Sequence, residues 1–367
     1  MNAPVDVMQQ RSDAGQKLGI IDCDIHPFPT RGALERYLPE RWRKHVAQYG
    51  KFNTGPYADR GTYPRFQPFL SRRDSFPPNG NPPGSDVDFI REQLLDPYNI
   101  IYGVLEPLLG CNTSRNLDEA AALCGAVNDW QAHEFVEPEP RLRASIQVPQ
   151  DDPAAAVKEI EKRLGDWRFC QIQLGSKTSE PLGRRRYWPI FDAAQANGLS
   201  IGLHVGGTLA HAPSAGGWPQ FYVEDHHVLV HSMQNQVASL ILEGVFEAFP
   251  KLKVVMIEGG FAWVPVLGWR LDKHWAKMRD EVPQVKRPPS EYLRTNVWFA
   301  TQPVEEPESP DDLRQVFEWI GWDRMLFSSD YPHWDFDDPH QAFRFQMTAD
   351  EKRMLYRDNA LDVYNFS

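Results

Sequence analysis

The sequence predicts a (β/α)8 barrel, distorted by an insertion after its first strand. Eight short apolar runs alternate with helical stretches, the order that builds a parallel sheet covered by helices. The runs are continuously apolar rather than alternating, as strands buried on both faces require. The chain has 367 residues, against roughly 250 for a typical barrel, which leaves room for insertions and tails. A doubly wound open sheet is the alternative for the same alternation.

The strands follow in order. Leu18–Ile25 (LGIIDCDI) is the first, Ile100–Leu105 the second, Leu142–Val148 the third and Phe169–Leu174 the fourth. Leu199–Val205 is the fifth, Leu252–Ile257 the sixth, Val297–Thr301 the seventh and Met325–Ser328 the eighth. Between them, Asp152-Pro153 opens a helix with an N-cap and a proline at the first helical position. Leu117–Phe135, Tyr187–Asn197, Val228–Phe249, Phe261–Met278 and Asp311–Trp319 are further helices, and Ala349–Asn365 closes the chain. Asn197-Gly198 and Phe249-Pro250 are stop signals.

Two stretches break the rhythm. Pro27–Phe89 holds ten prolines and many aromatics. It is too long for a βα loop and too aromatic for a solvated linker, so it reads as an inserted cap over the barrel mouth or as a subunit contact. Gly206–Glu224 is a shorter insertion after strand five. Residues 1–17 are polar, lack an apolar signal core and read as a disordered tail, with residues 18–367 as one barrel domain.

Composition excludes several classes. Lys plus Arg is 39 and Asp plus Glu is 50, a net charge of −11, which argues against a nucleic-acid binder. No apolar run approaches the roughly 20 residues of a membrane span, so the chain reads as a cytoplasmic protein. Cys23, Cys111, Cys124 and Cys170 form no C-x-x-C pair and read as buried, reduced thiols.

Chemistry in a barrel gathers at the C-terminal ends of the strands. Strand one ends in Asp22-Cys23-Asp24-Ile25-His26, strand five in Leu203-His204, strand six in Ile257-Glu258 and strand eight in Ser329-Asp330. Residues two apart on a strand share a face, which aims Asp24 and His26 together into the mouth with Asp22 behind them. Two Asp, one Glu and two His on one rim would be costly unless paired or bound to metal. Imidazole with carboxylate suits Zn²⁺, Mn²⁺ or Fe²⁺. After strand five come His226, His227 and His231; His231 leads a core-directed run and is the candidate to reach the mouth. With it, three carboxylates and three imidazoles could hold two metals, Glu258 and His231 serving the second.

These motifs, IDCDIHP (21–27), LHVGG (203–207), FPKLKVVMIEGGFAWVP (249–265) with RLDKHW (270–275), and MLFSSDYPHWD (325–335), resemble the amidohydrolase-related family that includes aminocarboxymuconate semialdehyde decarboxylase. The resemblance spans Ile20 to Asn365. It implies a distorted (β/α)8 barrel with one divalent metal held by Asp24, His26, His204 and Asp330, usually in an oligomer. Two departures stand out. Many members carry H-x-H on strand one where this chain has Asp24-Ile25-His26. The decarboxylases place a proton-handling histidine at the end of strand six, where this chain has Glu258. At Glu258 the chain is similar to the dinuclear iron monooxygenases built on the same fold.

The expected function is a metal-dependent hydrolase acting on a small carboxylated or aromatic substrate. Asp330 would take the proton of a metal-activated water, and Glu258 would polarise or protonate the substrate, with His231 as a further catalytic candidate. The alternatives are a non-oxidative decarboxylase, a dinuclear iron or iron–manganese monooxygenase, and a non-catalytic partner subunit. Lys177 reads as a loop lysine, and Arg184 to Arg186 as either a substrate-carboxylate clamp or surface ion pairs. His333 and Trp334 would shape the pocket, and His274 reads as structural.

Overall fold

The structure is a computed structural model that describes residues 18–50, 68–111, 114, 116–207, 214, 216–364 and 366. The expected disordered tail and residues 51–67 of the insertion lie outside the described residues. Eight strands form one sheet in sequence order: β1 (Ile20–Ile25), β2 (Ile100–Leu105), β3 (Leu142–Gln147), β4 (Phe169–Lys177), β5 (Ser200–Gly207), β6 (Val254–Ile257), β7 (Val297–Ala300) and β8 (Met325–Leu326). Every neighbouring pair is parallel. The backbone after β8 turns back onto β1. Cys23 N donates to Phe327 O at 3.0 Å, Asp330 N to Asp24 O at 3.1 Å, and His26 N to Tyr331 O at 2.7 Å. These bonds make the sheet a barrel rather than an open sheet.

A buried carboxylate locks this seam. Asp22 Oδ1 accepts from Ser329 N at 2.9 Å and from Asp24 N at 3.2 Å, and Asp22 Oδ2 accepts from Ser329 Oγ at 2.5 Å. Burial pushes Asp22 up to about 7 despite those bonds. β8 is shorter than the apolar run suggests because Ser328 and Ser329 leave the ladder. Ser328 Oγ accepts from Gln302 N at 2.9 Å, and Ser329 turns to Asp22.

The long helices are α1 (Glu40–Tyr49), α2 (Leu117–Gln131), α3 (Pro153–Arg163), α4 (Trp188–Ala196), α5 (Tyr222–Leu242), α6 (Val264–Met278) and α7 (Pro310–Ile320). In α3, Asp152 caps the N–H of Ala155, Pro153 opens the first turn and Ala156 with Ile160 packs inward. α7 buries Leu313, Phe317 and Ile320, spaced four and then three residues apart, and ends at Gly321, whose φ is 107°. α5 differs from its expected span of Val228–Phe249. It starts at Tyr222, inside the stretch read as an insertion, and stops at Leu242. Gly244, at φ 83°, then breaks the chain before a separate turn, Val245–Ala248. Among the described residues no helix is long and apolar enough to cross a membrane.

The main core lies between sheet and helices, with Trp130, Phe135, Phe191 and Phe317 fully buried. A second cluster gathers Ile21, Cys23, Val104, Val255 and Leu326 from different strands with Tyr364 and Phe366 of the C-terminus. All four cysteines are free and buried. The described part of the insertion is laid against the loop after β8. Arg72 N donates to Pro332 O at 3.0 Å, and Trp334 N donates to Leu70 O at 2.8 Å.

At the opposite end, Glu139 ties together the segments entering β2 and β3. It accepts from Arg91 Nε at 2.6 Å and from Arg141 Nη2 at 2.8 Å. Burial alone would raise its pKa, but Arg141 and Arg91 hold it down at about 2, below the usual 4.5. A carboxylate depressed in the fold stabilises fully above its unfolded pKa and loses that contribution as pH falls through the folded one. Glu139→Gln should therefore cost about 1.5–3 kcal/mol at pH 7 and clearly less at pH 3. Denaturant unfolding of both proteins at the two pH values checks this, and an equal gap at both would refute it.

Candidate metal centre

Each acidic or imidazole group at the mouth is placed by a strand end. β1 delivers Asp24 and His26. Its register against β2 slips between Asp22 and Ile25, where Asp22 faces Gly103 and Ile25 faces Leu105. The extra residue re-aims the strand end, the usual use of a bulge beside a site. β5 delivers His204, one residue past the buried Leu203. Glu258 and Asp330 follow β6 and β8 with φ of 55° and 63°. A left-handed backbone at a non-glycine residue costs on the order of 1–3 kcal/mol and persists where the surroundings fix it.

The side chains converge on one point. His26 Nε2 lies 2.7 Å from Asp330 Oδ1, 3.2 Å from Asp24 Oδ1 and 3.8 Å from Glu258 Oε2. His204 Nε2 lies 3.0 Å from Glu258 Oε2 and 3.8 Å from Asp24 Oδ1. Both rings use Nδ1 elsewhere: His26 on Glu106 O at 2.7 Å, and His204 on Val205 O at 2.6 Å. Carbonyl partners fix the Nδ1–H tautomer, so each Nε2 presents a lone pair to the centre. Both oxygens of Asp24, Nε2 of both histidines and Glu258 Oε2 are buried without a hydrogen bond. Ligands at right angles about 2.1 Å from one cation sit about 3.0 Å apart. The observed spacings bracket that value, so the residues fit a divalent metal.

Two overlapping donor sets are present. Asp24, His26, His204 and Glu258 offer atoms within 4.8 Å of one another, as do His26, Glu258, Asp330 and His333. Electrostatics agrees with a place for a cation. Burial first, then Glu258 and neighbouring carboxylates, pushes Asp24 and Asp330 well above the usual range. Burial and then His333 and His204 push His26 well below its ordinary value. Burial would lower His204 too, but Glu258, Asp24 and Glu106 push it up to about 10. A bound divalent ion would supply the positive charge that this set lacks.

A cavity of about 160 Å³ opens beside the cluster. Leu70, Val205, Leu229 and Trp334 form its apolar walls, with His204, Glu258, His226, His333 and Asp335 on the polar side. Gln302 braces this side. Its Nε2 donates to Asp330 Oδ2 at 3.0 Å and to Asp335 Oδ2 at 3.0 Å. His226 Nε2 meets Asp335 Oδ2 at 3.0 Å.

Of the residues singled out from sequence, Asp24, His26, His204, Glu258 and Asp330 come together. His231 does not. It is exposed on α5, beside the equally exposed His227. It lies about 140° around the helix from His226, on another face, whereas α5 turns Tyr222, Asp225, His226 and Leu229 toward the cavity. Their spacing of three, four and seven residues was the signal that pointed to His226. Lys177 is not a loop lysine: it ends β4, is buried and has its pKa lowered by that burial. Arg184 and Arg186 pair with Glu180, a surface arrangement. His274 is exposed. His333 and Trp334 do shape the pocket, and His333 also belongs to the second donor set.

Removing the brace should loosen the site. Gln302→Ala is expected to lower Mn²⁺ affinity roughly 10- to 100-fold, measured by titrating the metal into chelator-treated protein. Unchanged affinity would mean that Asp330 holds its place without Gln302.

The chain matches the amidohydrolase family over residues 21–366. A gamma-resorcylate decarboxylase of Polaromonas sp. strain JS666 is 27% identical over 261 residues, covering 65% of this chain and 75% of that one. Another, from Rhizobium radiobacter, is 23% identical over 292 residues, covering 76% and 87%. Among solved structures, an amidohydrolase of Mycobacterium avium subsp. paratuberculosis superposes with a TM-score of 0.71 at 22% identity, covering 95% of this chain and 99% of that one. The manganese-bound 5-carboxyvanillate decarboxylase of Novosphingobium aromaticivorans gives 0.70 at 21% identity, covering 95% and 96%. The two curated relatives named above and the 5-carboxyvanillate decarboxylases are decarboxylases, which corrects the expectation of a hydrolase. Strand order, the mouth-facing donors and the match across nearly the whole chain agree: this protein belongs to the amidohydrolase family of metal-dependent enzymes.

Proposed function

We propose that the protein is a metal-dependent, non-oxidative decarboxylase of small aromatic carboxylates. The observation that carries this is the set of unpaired donors on Asp24, His26, His204 and Glu258 opening on a one-ring cavity. A cavity of roughly 150 Å³ is enough to take a benzene ring. Asp24, His26, His204 and Asp330 would hold the metal, as the resemblance implies. When bound, the metal would act as a Lewis acid toward the substrate. The decarboxylase relatives support the reaction class.

The chain's own residues do the remaining work. Leu70, Val205, Leu229 and Trp334 exclude water from one face of the ring, which strengthens every charge interaction at the other. Leu70 comes from the segment after β1, so that insertion acts as a cap. Glu258 lies beside both histidines and lines the cavity, where it would align the substrate's hydroxyl. Gln302 keeps Asp330 and Asp335 at fixed separation while the ring is bound.

A second reading rests on one observation. The two donor sets share His26, whose Nε2 could serve only one metal, and Glu258, a carboxylate that could bridge two, which suits a dinuclear, carboxylate-rich site able to activate oxygen. Metal analysis and gas exchange separate the two. The expected result is about one Mn or Zn per chain, with CO2 released from 2,6-dihydroxybenzoate or 5-carboxyvanillate and no oxygen consumed. Chelation, or His204→Ala, should reduce CO2 release at least roughly a hundredfold. Two iron atoms per chain with substrate-dependent oxygen uptake would replace the first reading by the second.

A further inference from the structure

If the site is a carboxy-lyase, the ring carbon that loses CO2 must receive a proton. The decarboxylases that this chain resembles use a histidine at the end of strand six, and that position is Glu258. Another imidazole lines the same cavity. His226 sits on the cavity face of α5, and its Nε2 meets Asp335 Oδ2 at 3.0 Å. Asp335 is itself held by Gln302 Nε2, on Oδ2 at 3.0 Å and on the backbone oxygen at 3.2 Å. Among the described residues nothing hydrogen-bonds His226 Nδ1, and the side chain is 22% exposed. The rings of Tyr222 and Trp334 flank it at 5.7 Å and 5.6 Å. A pocket-lining imidazole with a carboxylate on one ring nitrogen and no hydrogen bond on the other is the arrangement of a general acid–base histidine.

We propose that His226, on α5 rather than at the end of β6, is the general acid of the reaction. This rests on the decarboxylase reading. The bond from the ring carbon to the carboxylate carbon breaks, CO2 departs, and the electron pair stays on the ring carbon. That carbon takes the proton from His226 Nδ1, and water entering the cavity returns a proton to the imidazole. No oxidant or reductant is needed. The hydrogen bond to Asp335 raises His226 above its ordinary value against the opposing effect of burial, and the charges of Asp335, Glu258 and Asp225 add to the rise. His333 lines the cavity too, but its carboxylate is Asp330 and its ring belongs to the metal donor set. Lys177 is absent from the cavity wall, and Arg184 and Arg186 are engaged by Glu180.

The test uses manganese-loaded wild-type protein, His226→Gln and Glu258→Gln. The probes are ortho-hydroxylated benzoates led by 2,6-dihydroxybenzoate and 5-carboxyvanillate. His226→Gln should keep its manganese and its KM within a few-fold, and lose kcat by roughly 10²- to 10⁴-fold. It should also stop catalysing deuterium exchange at the decarboxylated ring position of the product, since the same group moves that proton in both directions. A His226→Gln protein that keeps kcat and exchange overturns the assignment while leaving the carboxy-lyase reading intact. Exchange lost in Glu258→Gln but kept in His226→Gln overturns it in favour of Glu258. Wild-type protein that releases CO2 from none of the probes overturns the carboxy-lyase reading, and the assignment with it.

Discussion

Asp24, His204 and Asp330 are almost wholly buried, with 0%, 1% and 0% of their surface exposed, and His26 and Glu258 are nearly so. Among the described residues no lysine or arginine pairs with any of them. Burying like charges without a counter-ion costs several kcal/mol per group, and the fold carries this cost at the mouth of the barrel. Much else in the molecule serves to hold that place together. Backbone carbonyls of Glu106 and Val205 turn the two imidazoles, and Gln302 steadies Asp330. Backbone strain at Glu258 and Asp330 is tolerated at the same point.

Closure of the barrel and construction of the site are one event. The bonds that join β1 to the segment after β8 run through Cys23, Asp24 and His26 on one side and Phe327, Asp330 and Tyr331 on the other. Three of the four metal-ligand candidates, Asp24, His26 and Asp330, are thus set by a seam that Asp22 and Ser329 lock from behind. A site built on the last pairing of a closed sheet is rigid, because shifting either carboxylate means opening the ring.

The loops then add what the strands cannot. The insertion after β1 supplies Leu70, and the loop after β8 supplies His333, Trp334 and Asp335. α5 supplies Tyr222, His226 and Leu229 from one face. The chemistry of the pocket is therefore divided. Strand ends carry the charged donors, and the surrounding elements carry the walls and two further imidazoles, His226 and His333. This is how one barrel serves many reactions.

Continuous apolar runs and their polar ends made the eight strands, their order and five of the converging residues legible in the chain, because a strand's burial and its terminus are local properties. Boundaries were legible only within a few residues. β8 gave up Ser328, whose hydroxyl accepts from the backbone N–H of Gln302, and α5 reached back to Tyr222. His231 leads an apolar run, yet His226, on another face of α5, lines the cavity instead. Lys177 likewise became buried because β4 ran on past Gly175. The reaction class lay beyond the residues too, since imidazole and carboxylate on a rim serve hydrolysis and decarboxylation alike. The sequence determined the repeating β/α order and the donor types, for these depend on near neighbours along the chain. Only the tertiary structure decided which donors meet, how the seam closes and which imidazole faces the pocket, because those distances are set by elements far apart in the chain.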